Sequence, residues 1–337
     1  VLVRLEEHQS LVLVEAAQPR VPPGSSKGGQ FASTGGGGHA SITGSSKPER
    51  AALNKSTRGE IVARTSAQLG MSERPWQDGG AVGVAAKHTG THEVGKRLDA
   101  NPAYQKGLQT EGGMFVQGEM EGNAHGINGY SGGTAAHPHS QGMQFTDGAQ
   151  DMWAQTASGS QTAADFQYAA KAEFGVGSTK HLPLQARGSA LEVSRNRLSA
   201  TELADRQGVI RAYHRSRYDD TQAHLASLGM QPTDRVTLFR GTGSMHDASD
   251  PFSADAPREL ERSGAGRSRT TTVELAPLSS WSNNFVTASS FGGSVMAASF
   301  PVSRIYGIST RGSGAHNEGE VIVLGSPAHG FDTVAFT

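Results

Sequence analysis

The hydrophobic period of this chain changes once, near Asp234, and no other feature limits its fold as much. Upstream, apolar residues recur at helical spacing. In TAADFQYAAKAEF, residues 162–174, the side chains of Phe166, Ala169, Ala170 and Phe174 share one helical face, and Gly175 follows as a stop. Residues 199–207 open with Ser199-x-x-Glu202. That is the pattern in which the two side chains each accept from the other's backbone N–H at a helix start. Residues 209–228 put Ile210, Tyr213, Thr221, Leu225 and Leu228 on one stripe, closed by Gly229. Downstream of Asp234 the runs are short and β-rich: VTLFRG, TTTVEL, VMAASFPV, RIYGIST, GEVIVLG and DTVAF, parted by Gly, Pro, Ser and Asn. Helices followed by a run of strands predict an α+β domain.

The N-terminal half reads differently. With 44 glycines and an apolar share of 35 %, part of the chain is expected to be loop rather than core. Residues 19–48, PRVPPGSSKGGQFASTGGGGHASITGSSKP, read as a flexible tether, with too little apolar surface to offset the entropy of ordering. RGEIVARTSAQL, residues 58–69, predicts one helix. From Gly112 to Met143 glycine interrupts every periodic pattern, and irregular structure with short strands at best is expected. The chain therefore divides into 1–48, a leader and tether; 49–145, a Gly-rich region without an assigned role; and 146–337, the domain that carries the chemistry.

Several function classes fall away. There is no cysteine, so disulfides, thiolate metal sites and cysteine nucleophiles are excluded. A formal net charge of −1 argues against broad nucleic-acid binding. No apolar run approaches the roughly 18 residues of a membrane span, and Arg4, Glu6, Glu7 and Glu15 argue against a secretory signal in the opening residues. His125, His137 and His139 lack a second ligand pair at regular spacing and read as a solvated loop, so no metal is expected.

Three motifs carry chemistry. Arg240 ends the apolar run VTLFRG; its planar fork suits a phosphate, and Gly241 permits close approach. In SSWSNNFVTASSF, Ser280 and Ser282 are two apart and share one side of a strand, where hydroxyls orient a ligand hydroxyl or a carboxylate. Residues 287–291 are expected to turn as a short helix offering an aromatic face. In HNEGEVIVLG, Glu318 and Glu320 sit at i and i+2, so both carboxylates are expected on one face with Gly319 on the other. Taken singly, each has a plainer explanation: a solvated arginine, a Ser/Asn turn, an acidic strand end.

Together they resemble the R-S-E class of mono-ADP-ribosyltransferases, the arginine-type members with E-x-E. Ser282 is followed by Ala288 and Phe291 at the family's spacing. The resemblance covers 146–337 and is strongest over 236–325. It implies two small packed β-sheets around an NAD cleft, preceded by helices. It implies that Arg240 and Gly241 hold the NAD phosphates with Ser282 nearby. It also implies that Ser280 binds the catalytic carboxylate and the nicotinamide ribose, that Phe291 stacks on nicotinamide, that Glu320 is catalytic, and that Glu318 sets arginine as acceptor. Trp281 stands where many members have Thr, and it either narrows the cleft or packs beneath it. The implied partner is an arginine of a host protein.

PPGSSKGGQF resembles a short segment of tailed-phage head-associated proteins. A rival reading follows, in which the N-terminal region docks to a capsid and the transferase domain is a passenger, located in the virion or the host cytoplasm. The same three motifs also fit a secreted effector, and they fit an NAD glycohydrolase toxin with water as acceptor.

Overall fold

The computed structural model describes residues 84–125, 140–150, 152, 161–177, 199–242, 268–273, 275–289, 294–313, 319–325 and 331–336. The expectations for the tether, for the helix at 58–69, and for His137, His139, Phe291 and Glu318 lie outside these residues.

The chain is α+β, with helices before strands. Among the described residues the helices before the strands are α1 (Val84–Asp99), α2 (Pro102–Gly107), α3 (Glu111–His125), α4 (Gln141–Ala149), α5 (Gln161–Phe174) and α6 (Ala200–Ser227). The capping box of α6 forms as predicted: Ser199 Oγ accepts from the Glu202 N–H at 3.1 Å, and Glu202 Oε2 accepts from the Ser199 N–H at 2.7 Å. This helix runs 28 residues straight through Gly208, joining two periodic stretches that look separate in sequence. Gly229, with φ 79°, stops it, and Gly175, with φ 64°, stops α5.

The irregular structure expected over 112–143 is not what forms in its described part: α3 covers 112–125 and α4 begins at Gln141. The reason lies in what the glycines touch. A Cβ on Gly112 would press on the Glu202 carbonyl of α6, and one on Gly142 would press on the Gly95 carbonyl of α1. One on Gly148 would strike the Met120 carbonyl of α3. These glycines are sites where helix backbones cross closely, so packing overrides a propensity penalty of about 1 kcal/mol each. The boundary drawn at 145/146 falls inside α4, and one apolar cluster draws on both sides of it, from Val94 and Phe145 to Tyr213, Leu278 and Ile322. Arg206 of α6 braces the same layer. It is buried and bonded to Asp165 at 3.0 Å and Glu119 at 3.3 Å, and its guanidinium lies 4.9 Å from the Phe115 ring centroid.

The strands are β1 (Arg235–Thr242), β2 (Ser268–Val273), β3 (Leu278–Ser282), β4 (Ser294–Pro301), β5 (Ile305–Ile308), β6 (Glu320–Leu324) and β7 (Phe331–Phe336), with a short helix α7 (Phe285–Ser289) after β3. The strand pairings among the described residues are all antiparallel, in the order β2-β7-β4-β1-β3-β6-β5. Instead of the two separate sheets expected, the strands join in one sheet, because β1 and β3 meet at a single residue pair, Phe239 with Ser282. Elsewhere the two halves part. β1 pairs with β4 over its whole length, and β3 pairs with β6 from Leu278–Leu324 to Ser282–Glu320.

The halves share an apolar cluster. Val236, Leu238, Met296 and Phe300 from one half pack with Trp281, Val321 and Val323 from the other. Trp281 is 2 % exposed and meets Phe300 edge-on at 4.9 Å. The indole therefore packs in the apolar cluster that the two halves share. Burying a large side chain of this kind contributes about 1.5–3 kcal/mol.

Candidate active site

Alternation along β3 and β6 sorts the polar side chains onto faces. Leu278 belongs to the helix-side cluster with Ile322 and Leu324, so Ser280, Ser282 and Glu320 share that face. Trp281 belongs to the cluster between the halves, so Ser279 shares its face and looks toward β1. On β1, Arg240 lies in phase with Val236 and Leu238 of that same cluster, while Gly241 is buried and paired with Val295.

Arg240, Ser280 and Glu320, far apart in sequence, come together here. Ser280 Oγ donates to Glu320 Oε1 at 2.5 Å. Arg240 Nη1 donates to Ser279 Oγ at 2.8 Å and to the Ser280 carbonyl at 3.2 Å. One polar set thus spans β1, β3 and β6, with a cation at one end and a carboxylate at the other. Glu320 is only 1 % exposed. Ser282 stands opposite Glu320 in register, and its Oγ accepts from the Asn284 N–H at 3.0 Å. Asn284 Oδ1 then accepts from the Thr287 N–H at 3.1 Å. These two bonds start α7, which packs Phe285 edge-on against Phe239.

Strand β6 opens at Glu320, and Gly319 before it has φ 56°. A left-handed residue interrupts the extended backbone that the i, i+2 rule assumes, and Glu318 itself lies outside the described residues. The Gly319 carbonyl accepts from the Asn283 N–H at 3.1 Å, which ties this turn to the end of β3.

Two contributors are not among the residues that the motifs single out. Ser279 receives the Arg240 guanidinium, and its signal is the alternation that separates it from Ser280. Gln167 of α5 bonds both backbone groups of Leu278, at 3.0 and 3.1 Å. Its only local sign is a glutamine among apolar helix positions. The residue before it, Phe166, gives its carbonyl to His214 Nε2 at 2.9 Å, so that nitrogen carries the proton; Nδ1 then accepts from the Tyr306 hydroxyl at 2.7 Å. Full burial holds the His214 imidazole neutral, with its pKa pushed down to about 3.

Among the described residues no group of three or more His, Asp or Glu is placed to hold a metal ion, and no helix is long and apolar enough to cross a membrane. A carboxylate steered by a hydroxyl can stabilise a cationic carbon, and a neighbouring guanidinium can bind an anionic group. Family models, curated proteins and solved structures give no match to this chain.

Proposed function

We propose that this chain is an R-S-E mono-ADP-ribosyltransferase that moves ADP-ribose from NAD to an arginine of a target protein, on an ADP-ribosyltransferase-like fold with NAD in the cleft where the sheet divides. The observation that carries the reading is the contact of Ser280 Oγ with Glu320 Oε1, in a polar set that also contains Arg240. The donor set fits the co-substrate: a guanidinium suits a diphosphate, and a carboxylate held by a hydroxyl suits a ribose hydroxyl.

In this reading Arg240 and Gly241 bind the phosphates. Breaking the bond between nicotinamide and ribose sends the electron pair to the nicotinamide ring nitrogen and leaves positive charge on the ribose, as in glycoside cleavage. Glu320, accepting from a ribose hydroxyl, stabilises that charge, and Ser280 keeps its carboxylate aimed. Ser282 shapes the start of α7, and Phe291 is assigned to the nicotinamide ring. Glu318 is assigned to the incoming guanidinium. It removes a proton as the arginine nitrogen forms its bond to the ribose carbon.

The test is nicotinamide release from NAD by the full chain, with transfer to an arginine substrate followed by mass spectrometry. Glu320→Gln retains an acceptor for Ser280 but loses the charge. It should cost on the order of 3 kcal/mol, a hundredfold or more in both transfer and hydrolysis. Near-normal rates in that variant would sink the assignment.

A further inference from the structure

Three alternate positions of β3 turn their backbone groups away from β6, and each meets a different partner. The phase is set by the Gly325 N–H, which donates to the Pro277 carbonyl at 3.0 Å. Pro277 therefore bonds toward β6, and Leu278, Ser280 and Ser282 bond toward β1. Ser282 pairs with Phe239 of β1 itself. Two residues back, the Ser280 carbonyl accepts from a side chain, Arg240 Nη1. Two further back, Leu278 has both groups taken by Gln167: its N–H donates to Oε1 at 3.0 Å, and Nε2 donates to its carbonyl at 3.1 Å.

The partner reaches further as the strands diverge: backbone, then guanidinium, then a helix-borne amide. β1 and β3 pair at Ser282, and Gln167 fixes β3 at Leu278, two residues before the carbonyl that Arg240 reaches. Gln167 is 3 % exposed, so its amide is a rigid strut whose polar atoms are costly to leave unmade. The helix that carries it is held at the adjacent residue by the bond from His214 to Phe166.

We propose that Gln167 is a positioning residue for the Arg240 guanidinium. By holding the β3 backbone at Leu278, it sets how far Arg240 must reach to the Ser280 carbonyl and which way the remainder of its fork faces. It touches neither substrate nor reacting atoms. The functional half of this inference rests on Arg240 as the NAD grip; the geometric half does not.

The test uses the full chain with Gln167→Met, which keeps length but loses both bonds, and Gln167→Glu, which keeps only the acceptor. Two measurements are made: the Arg240 Nε–Hε signal in a 15N-labelled sample, and steady-state kinetics against NAD. Both variants should move the Arg240 signal, and the KM for NAD should rise by about tenfold with a smaller change in kcat, as for a misplaced binding group. A purely structural role would lower thermal stability and leave KM and the Arg240 signal in place. An unmoved Arg240 signal in folded Gln167→Met overturns the proposal. If Gln167→Met does not fold, the same comparison is read from Gln167→Glu. If the wild-type chain neither binds nor cleaves NAD, the transferase reading fails, and the Arg240 signal still decides whether Gln167 positions the guanidinium.

Discussion

Gly319→Ala probes the turn that delivers Glu320. Gly319 holds φ 56°, in the left-handed region, where a Cβ costs about 1–2 kcal/mol. The added methyl would also lie 3.1 Å from Asn283 Cγ and closer still to its Oδ1. Overpacking of this kind costs roughly a further 1–3 kcal/mol. The Asn283 N–H bond to the Gly319 carbonyl, at 3.1 Å, holds the two residues together, so the clash is not relieved by drift of the backbone. The sum is about 2–5 kcal/mol. Urea unfolding followed by far-UV circular dichroism reads this as a lower midpoint at unchanged slope. A double-mutant cycle with Asn283→Ala separates the two parts. The double variant should recover the packing share, about 1–3 kcal/mol, and keep the backbone share. Wild-type stability for Gly319→Ala, or strict additivity in the cycle, would refute the reasoning. Glu320 follows directly, so Gly319→Ala should also lose NAD cleavage at temperatures where it remains folded.

Arg240→Lys cannot reproduce the planar fork that reaches Ser279 and the Ser280 carbonyl, so it should raise the apparent NAD constant more than it lowers saturated turnover; unchanged affinity by calorimetry would remove Arg240 from the site. Glu318→Gln should abolish arginine modification while leaving NAD hydrolysis largely intact, and a joint loss with NAD still bound would end that division of labour. His214 titrates near 3 when folded and near 6.5 when unfolded, so between these values the unfolded chain binds the extra proton. Stability present above about pH 6.5 should therefore fall by up to about 1.4 kcal/mol per pH unit as pH drops toward 3, and His214→Gln should flatten that part of the urea-midpoint profile.

What the sequence makes legible here is what short-range physics decides. The capping box at Ser199, the glycine stops after Phe174 and Leu228, and the alternation that sets Ser280 apart from Trp281 each depend on a few neighbouring residues, and each appears as read. The errors come from long-range contacts. Gly112 and Gly142 look like breakers until the crossing helix is known. The single Phe239–Ser282 pair that joins the sheet has no local sign. Gln167 meets Leu278 across 111 residues, beyond any window of periodicity. The alternation argument for Glu318 and Glu320 assumes extended backbone through Gly319, where φ is 56°, and Glu318 itself lies outside the described residues.

The glycines of α3 also bear on the order in which the molecule is made. Four of its fifteen residues, Gly112, Gly113, Gly118 and Gly122, are glycine, which weakens the isolated helix by about 4 kcal/mol relative to alanine. Such a segment has little helicity of its own, and a costly nucleation step makes it worse. Helix α6, long and capped at Ser199, has no such handicap. The expected order in the folding chain is α6 first, with α3 becoming a helix as it condenses onto it and Gly112 seats on the Glu202 carbonyl. Secondary structure in α3 is a product of tertiary contact, and its appearance in time should report docking rather than precede it.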